Sequence, residues 1–88
     1  MSYYVYIIKS QRDGTYYKGS SENYQQRLLD HNAGLSKYTS SKLPWELIYV
    51  EKHLNKRDAL IREKKQKHCK AEYFEWLRIQ RSNILIDQ

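Results

Sequence analysis

Tyr3-Tyr4-Val5-Tyr6-Ile7-Ile8-Lys9-Ser10, Gln11-Arg12-Asp13-Gly14 and Thr15-Tyr16-Tyr17-Lys18-Gly19-Ser20 follow one another near the start of the chain. The first stretch is rich in β-branched and aromatic residues and predicts a strand. The second is turn chemistry, with Gly14 free to take a positive φ. The third predicts the partner strand of a hairpin. Alternation then assigns the faces. With an even number of residues in the loop, even positions of the first strand share a face with odd positions of the second. Tyr6, Tyr17 and Gly19 then lie together.

Working outward, Ser20 or Ser21 can cap a helix running to about Asn32, and Gly34 is a natural stop for it. Tyr24, Arg27, Leu28 and His31 fall on one i, i+3, i+4, i+7 stripe. Arg27 and His31 therefore point with the buried edge, where polar side chains need a reason. Leu35 to Pro44 is polar and predicts an exposed loop. Trp45 to Glu51 predicts a third strand, with Trp45, Leu47 and Tyr49 alternating against Glu46, Ile48 and Val50. Asn55 caps the next helix, and Asp58 favours its first turn. On that helix Ala59, Leu60, Glu63 and Lys67 form a stripe, which puts Glu63 where an apolar residue is expected. Tyr73, Phe74 and Leu77 mark a last helix. The order β-β-α-β-α-α predicts an α+β fold, a small and mostly antiparallel sheet with helices packed on it. The expected organisation is one domain over residues 1–80 and a C-terminal tail over 81–88, whose Ile84-Leu85-Ile86 can dock.

Composition sets the bounds. Eighty-eight residues, 40% hydrophobic and 14% aromatic, suffice for one small core. Nine tyrosines can fill that core and still present hydroxyls at its surface. A net charge of +6 favours a polyanionic partner, nucleic acid being the commonest. The single cysteine, Cys69, excludes a disulfide framework within one chain and a cysteine-rich zinc site. No apolar run reaches membrane-spanning length, and Met-Ser-Tyr-Tyr is not the start of a signal peptide. The expectation is a cytoplasmic protein without a membrane partner, monomeric by default, with Ile84-Leu85-Ile86 available for a weak dimer contact.

Tyr6, Tyr17, Arg27, His31 and Glu63 together form a set able to cut a phosphodiester bond. Hydrolysis requires an aligned and deprotonated water, neutralised phosphoryl oxygens and a stabilised leaving oxygen. A tyrosine serves as base only if a cation or an imidazole lowers its pKa from about 10. Arg27 and His31, descending from the helix, provide both. A guanidinium binds two phosphate oxygens at once. Glu63 alone can hold a hydrated Mg²⁺, which needs few protein ligands.

The ordered series Tyr4-Val5-Tyr6, Tyr17-Lys18-Gly19, Arg27, His31 and Glu63 resembles the GIY-YIG nuclease domain. The segments Ser36-Lys37-Tyr38-Thr39, Pro44-Trp45-Glu46-Leu47 and Arg62-Glu63-Lys64 resemble its small stand-alone branch, which is similar to the N-terminal domain of excinuclease C. The resemblance covers about residues 2 to 78. It implies a three-stranded antiparallel sheet flanked by helices and a metal-dependent endonuclease acting on DNA, in branched, damaged or single-stranded forms. By similarity one tyrosine activates water, Arg27 binds the scissile phosphate, His31 supports the tyrosine and Glu63 ligates one Mg²⁺ or Mn²⁺. Tyr6 is the favoured base and Tyr17 its phosphate-side partner, with exchanged roles as the alternative. Gly19 is expected to give substrate room to approach. Lys18, Lys37, Tyr38 and Lys67 are the further candidate substrate contacts, Lys67 as part of a basic stretch with Lys64, Lys65 and Lys70. Tyr4 stands where the first signature has glycine, and residues 70–76 offer no asparagine where many members carry one. The competing reading is a nucleic-acid-binding module that cuts weakly or only with a partner.

Overall fold

Gly14 N–H donates to the Ser10 carbonyl at 2.9 Å and Ser10 N–H to the Thr15 carbonyl at 2.8 Å, closing the first hairpin over Gln11–Gly14. Gly14 takes φ +80, a conformation that favours glycine. The structure is a computed structural model that describes residues 2–66 and 69–87. The loop is even-numbered, as the facing of Tyr6 and Tyr17 requires. β1 (Tyr3–Ser10) pairs antiparallel with β2 (Tyr16–Ser21), placing Tyr6 opposite Gly19 and Ile8 opposite Tyr17. β3 (Trp45–His53) pairs antiparallel with the other side of β1, giving the order β2-β1-β3. Helix α1 (Tyr24–Asn32) runs between β2 and β3 in the chain. After β3 come α2 (Lys56–Gln66), α3 (Ala71–Arg78) and a short 3-10 turn (Ile84–Asp87). The expected α+β order is the observed one.

Three local details differ from the sequence expectation. The cap of α1 is Asn23, whose Oδ1 accepts from Gln26 N–H at 3.1 Å, because β2 extends through Ser21. Ser21 instead accepts the Asn23 N–H at 3.0 Å. The register of β3 shifts between Ile7 and Ile8, so the strand does not alternate cleanly. Trp45, Leu47 and Val50 pack on the side of Tyr6 and Ile8, whereas Ile48 and Tyr49 pack with Ile7. A bulge places two adjacent residues against one partner and flips the alternation beyond it.

Each face of the sheet has its own core. Tyr24 and Leu28 of α1, with Ile84 and Leu85 of the final turn, cover Tyr6, Ile8, Trp45 and Val50. Phe74 and Leu77 of α3 cover Ile7, Ile48 and Tyr49, with Cys69 packed beside them. The segment expected as a tail is thus docked. Asn83 is buried, accepts from Val50 N–H at 3.1 Å and donates to the carbonyls of Ile48 at 3.0 Å and Arg78 at 2.9 Å. Its carboxamide closes the outer edge of β3, which otherwise exposes unpaired backbone groups.

The second core carries a closed polar network. Glu51, 7% exposed, accepts from the Tyr49 hydroxyl at 2.6 Å and from Arg62 Nε at 3.1 and 3.0 Å. His53 Nε2 lies 2.6 Å from its other oxygen. Arg62 also donates to the Tyr73 hydroxyl at 3.2 Å, and Tyr49 lies 2.8 Å from Ser82 Oγ. Burial first, then the bond to Glu51, pushes the Tyr49 phenol up to about 12. Among the described residues, no helix is long and apolar enough to cross a membrane.

Candidate active site

Tyr6 fixes the centre of the site, and Gly19 makes room for it. A Cβ on Gly19 would lie 2.5 Å from Tyr6 Cζ, inside the ring's own volume. The room expected for substrate at Gly19 is occupied, because that space holds the Tyr6 ring. Tyr6 is 1% exposed, and its hydroxyl lies 3.1 Å from His31 Nε2. His31 is itself 0% exposed, and its Nδ1 lies 2.8 Å from Thr39 Oγ1. Burial, and then the Arg27 charge, hold His31 below its ordinary pKa. A neutral imidazole satisfies both contacts when Tyr6 donates to Nε2 and Nδ1–H donates to Thr39. The result is a closed relay from the sheet through α1 to the loop that follows it.

Around this relay stand three groups that remain open. Tyr17 is partly exposed, its ring edge-on to His31 at 5.1 Å and to Trp45 at 6.4 Å. Arg27 is partly exposed and pairs with Asp30 at 3.6 Å. The neighbouring Tyr6 phenol, and more weakly Asp30 and Tyr17, keep the guanidinium above its ordinary pKa. Glu63 is partly exposed on α2 and takes no hydrogen bond or ion pair among the described residues. Burial raises the pKa of Tyr6; Arg27 lowers it, while Tyr17 and Glu63 add small raising contributions. Arg27, Tyr17 and Glu63 are therefore each close enough to Tyr6 to act on its ionisation. Tyr17, Tyr38, Thr39, Trp45 and Glu63 line a cleft of about 550 Å³. Glu63 also borders a shallower depression of about 470 Å³ beside Lys56, Arg57 and Lys64.

Residues 2–73 match the family profile described as the GIY-YIG catalytic domain. The chain belongs to the GIY-YIG family. Among its relatives, a UPF0213 protein of Streptococcus pneumoniae is 37% identical over 75 residues, covering 81% of this chain and 75% of that one. A UPF0213 protein of Oceanobacillus iheyensis is 40% identical over 62 residues, covering 69% of this chain and 71% of that one. The solution NMR structure of a UPF0213 protein from Bacillus halodurans superposes with a TM-score of 0.56 at 28% identity, covering 97% of this chain and 90% of that one. GIY-YIG domains are nuclease domains, and the small stand-alone form expected from the sequence is the form of these relatives.

In this GIY-YIG chain the five expected residues Tyr6, Tyr17, Arg27, His31 and Glu63 come together. The further candidates are dispersed. Tyr38 lines the cleft. Lys37 is exposed on the same loop. Lys18 sits opposite Ile7, on the other face from Tyr6, with its Nζ 5.3 Å from the Phe74 ring centroid, and is also among the residues lining the cleft. Lys67 lies outside the described residues. Tyr4, the departure from the first signature, packs edge-on against Tyr24 at 5.0 Å and so serves the α1 interface.

Thr39 was missed by sequence reasoning. The loop expected to be exposed is anchored by it: Thr39 is 1% exposed, and its carbonyl accepts from Trp45 Nε1 at 3.0 Å. Asn32 reinforces the anchor, donating to the Trp45 carbonyl at 3.1 Å and accepting its N–H at 2.6 Å. The available signal was a buried histidine with a second ring nitrogen needing a partner. Among the described residues no three His, Cys, Asp or Glu side chains gather at a metal-binding spacing. The donor available at the cleft is the single Glu63 carboxylate. One open carboxylate suits Mg²⁺, which keeps most of its water ligands, and does not suit a closed structural site.

Proposed function

We propose that this GIY-YIG chain is a metal-dependent endonuclease that hydrolyses phosphodiester bonds in DNA. The observation that carries the reading is the convergence of Tyr17, Arg27 and Glu63 within electrostatic reach of one buried phenol, with Tyr17 and Glu63 lining an open cleft. A phenol, a guanidinium and a carboxylate left available beside a closed relay are what phosphodiester hydrolysis asks of a protein.

Burial favours exchanging the roles expected for the two tyrosines. Tyr6 is shielded from water and its pKa is raised, which makes it a poor base. It is a positioning residue, holding His31 and, through it, Thr39. Tyr17 is the phenol that borders the cleft. It acts as the phenolate, its hydroxyl proton having gone to solvent. It aligns the attacking water and takes that water's proton as the water oxygen bonds to phosphorus and the P–O bond to the leaving strand breaks, the leaving oxygen taking a proton from solvent. Arg27 neutralises the non-bridging oxygens, its planar fork matching two of them. Glu63 would hold the divalent metal, Mg²⁺ or Mn²⁺, whose chemistry is to neutralise charge building on the leaving oxygen. His31, kept neutral by burial, orients Tyr6 and packs in a T-shaped contact with Tyr17.

The test is cleavage of labelled duplex, single-stranded and branched DNA with Mg²⁺, Mn²⁺ or EDTA, for the native chain beside Glu63→Gln. Metal-dependent cutting that disappears in the variant, with DNA binding retained, is the expected result. Absence of cutting on every substrate, with native and variant chains binding DNA equally, would replace the nuclease with a nucleic-acid-binding module.

A further inference from the structure

We propose that Tyr38 is a stacking platform for an unpaired base, so that this site takes DNA with an unstacked nucleotide next to the scissile phosphate and not a continuous duplex. The proposal rests on the nuclease reading for its location and adds the substrate class.

Tyr38 is 85% exposed, while the next residue, Thr39, is buried. The ring does not project because the loop is loose. Thr39 is tied to His31 and Trp45, and its N–H donates to the Ser36 carbonyl at 3.2 Å. Ser40 N–H donates to the same carbonyl at 3.0 Å. Farther along, the Lys42 carbonyl accepts from Ser10 Oγ at 2.7 Å, and Lys42 Nζ pairs with Asp13 at 2.6 Å. A backbone pinned on both sides of the residue presents the ring in a fixed place, and a preorganised contact surface loses less entropy on binding.

The other tyrosine rings of the site pack against neighbouring rings. Tyr6 and Tyr17 lie against His31, and Tyr4 against Tyr24. Among the described residues Tyr38 makes no ring contact, although it lines the same cleft as Tyr17 and Glu63. That cleft, at about 550 Å³, is the size of a pocket for one small molecule. It has room for one base beside the Tyr38 ring. Lys37, the preceding residue, is exposed and without an ion pair among the described residues, a cation available to a flanking phosphate. An aromatic face next to a cation is the combination that binds single strands, because every base has a face to stack while the backbone carries the charge.

The experiment is binding of the full chain, in EDTA so that nothing is cut, to a single strand carrying 2-aminopurine and to the matching duplex. Native, Tyr38→Ala and Tyr38→Phe chains are compared across a salt series. The native chain should prefer the single strand and quench 2-aminopurine. Tyr38→Ala should weaken single-strand binding roughly 5- to 150-fold, the range for one base stacked on an aromatic ring. It should abolish quenching, leave duplex binding unchanged and keep the salt slope, since no phosphate contact is lost. Tyr38→Phe should behave as native. Equal binding of native and Tyr38→Ala chains to the single strand, equal weakening on both forms, a Phe variant as weak as Ala, or a native chain that binds neither form would each overturn the proposal. Because the readout is metal-free, it is independent of cleavage: a chain that stacks but never cuts refutes the nuclease alone.

Discussion

Two polar clusters flank one small sheet and are built from nearly the same residue types. One joins Tyr49, Glu51, His53, Arg62, Tyr73 and Ser82; the other gathers Tyr6, Tyr17, Arg27, His31, Thr39 and Glu63. In the first, the charges answer one another. The Glu51 carboxylate receives the Tyr49 hydroxyl and Arg62 and faces His53, and Arg62 continues to Tyr73. In the second, only the inner half is closed, from Tyr6 through His31 to Thr39. Tyr17 and Glu63 remain available at the cleft, and Arg27 is partly exposed beside Tyr6. A charge whose partners are all internal stabilises the fold; a charge left open to solvent is free to meet a substrate. Residue type alone does not separate the two cases, and satisfaction of bonding capacity does.

The largest effect should come from breaking the closed cluster. Glu51→Ala leaves the Arg62 guanidinium and the buried Tyr49 hydroxyl without their shared acceptor. Removing one partner of a buried ion pair costs about 3–5 kcal/mol, and with Arg62 30% exposed the loss should fall at the low end of that range, still much of the stability of a small domain. Urea unfolding should show that loss, while cleavage per folded molecule stays native. A native unfolding midpoint would mean that the network is better hydrated than its burial indicates.

The mirror experiment is Arg27→Lys in the open cluster. The charge remains, but the fork that matches two phosphoryl oxygens is gone. Cleavage should fall on the order of 10²–10³-fold, the usual effect of losing one donor aimed at developing charge. Stability should stay within about 0.5 kcal/mol, because the Asp30 pair is a partly exposed surface contact. Unchanged cleavage, measured under single-turnover conditions, would remove Arg27 from the site.

Gly19→Ala should blur the comparison by damaging both properties at once. The new methyl overlaps the Tyr6 ring, which is held by His31 and cannot swing aside. Overpacking of this kind costs about 1–3 kcal/mol. The displaced phenol also loses its imidazole partner, so cleavage per folded molecule should fall together with the unfolding free energy. A stability loss with native cleavage would show that the Tyr6 position is not needed for chemistry.

Much of this arrangement was legible in the amino-acid order because it depends on period. Alternation across an even loop brought Tyr6 and Tyr17 to one face, and the helical stripe turned Arg27 and His31 inward. The parts that escaped have no period. The bulge in β3 exchanged the faces of Tyr49 and Val50. Thr39 lies in a loop, where burial follows from a bond to a distant histidine and not from spacing. Asn83 lies beyond the last helix, outside every stripe, yet it seals the edge of β3, a role only the strand order reveals. Even within the site, sequence could bring two tyrosines together but could not say which one water reaches.

The smallest effect, a pH dependence, separates the clusters most cleanly. His31 is held below its ordinary pKa by burial first and by Arg27 second. In the unfolded chain it titrates near about 6.5. As pH falls through that value, the unfolded chain takes up a proton that the folded chain refuses, so stability drops, by at most about 1.4 kcal/mol per pH unit for one proton. The drop ends once pH passes below the folded value. His31→Gln, which does not titrate, should be less stable at pH 7 because its amide cannot reproduce both contacts, yet its stability should change less between pH 7 and pH 5. The other titrating groups are common to both chains and cancel in the difference, which urea unfolding at successive pH values measures. A difference independent of pH would mean that His31 accepts its proton in the folded state. Tyr6 would then lose its acceptor without cost, and the inner relay would not be closed in the sense that sets it apart from Tyr17, Arg27 and Glu63.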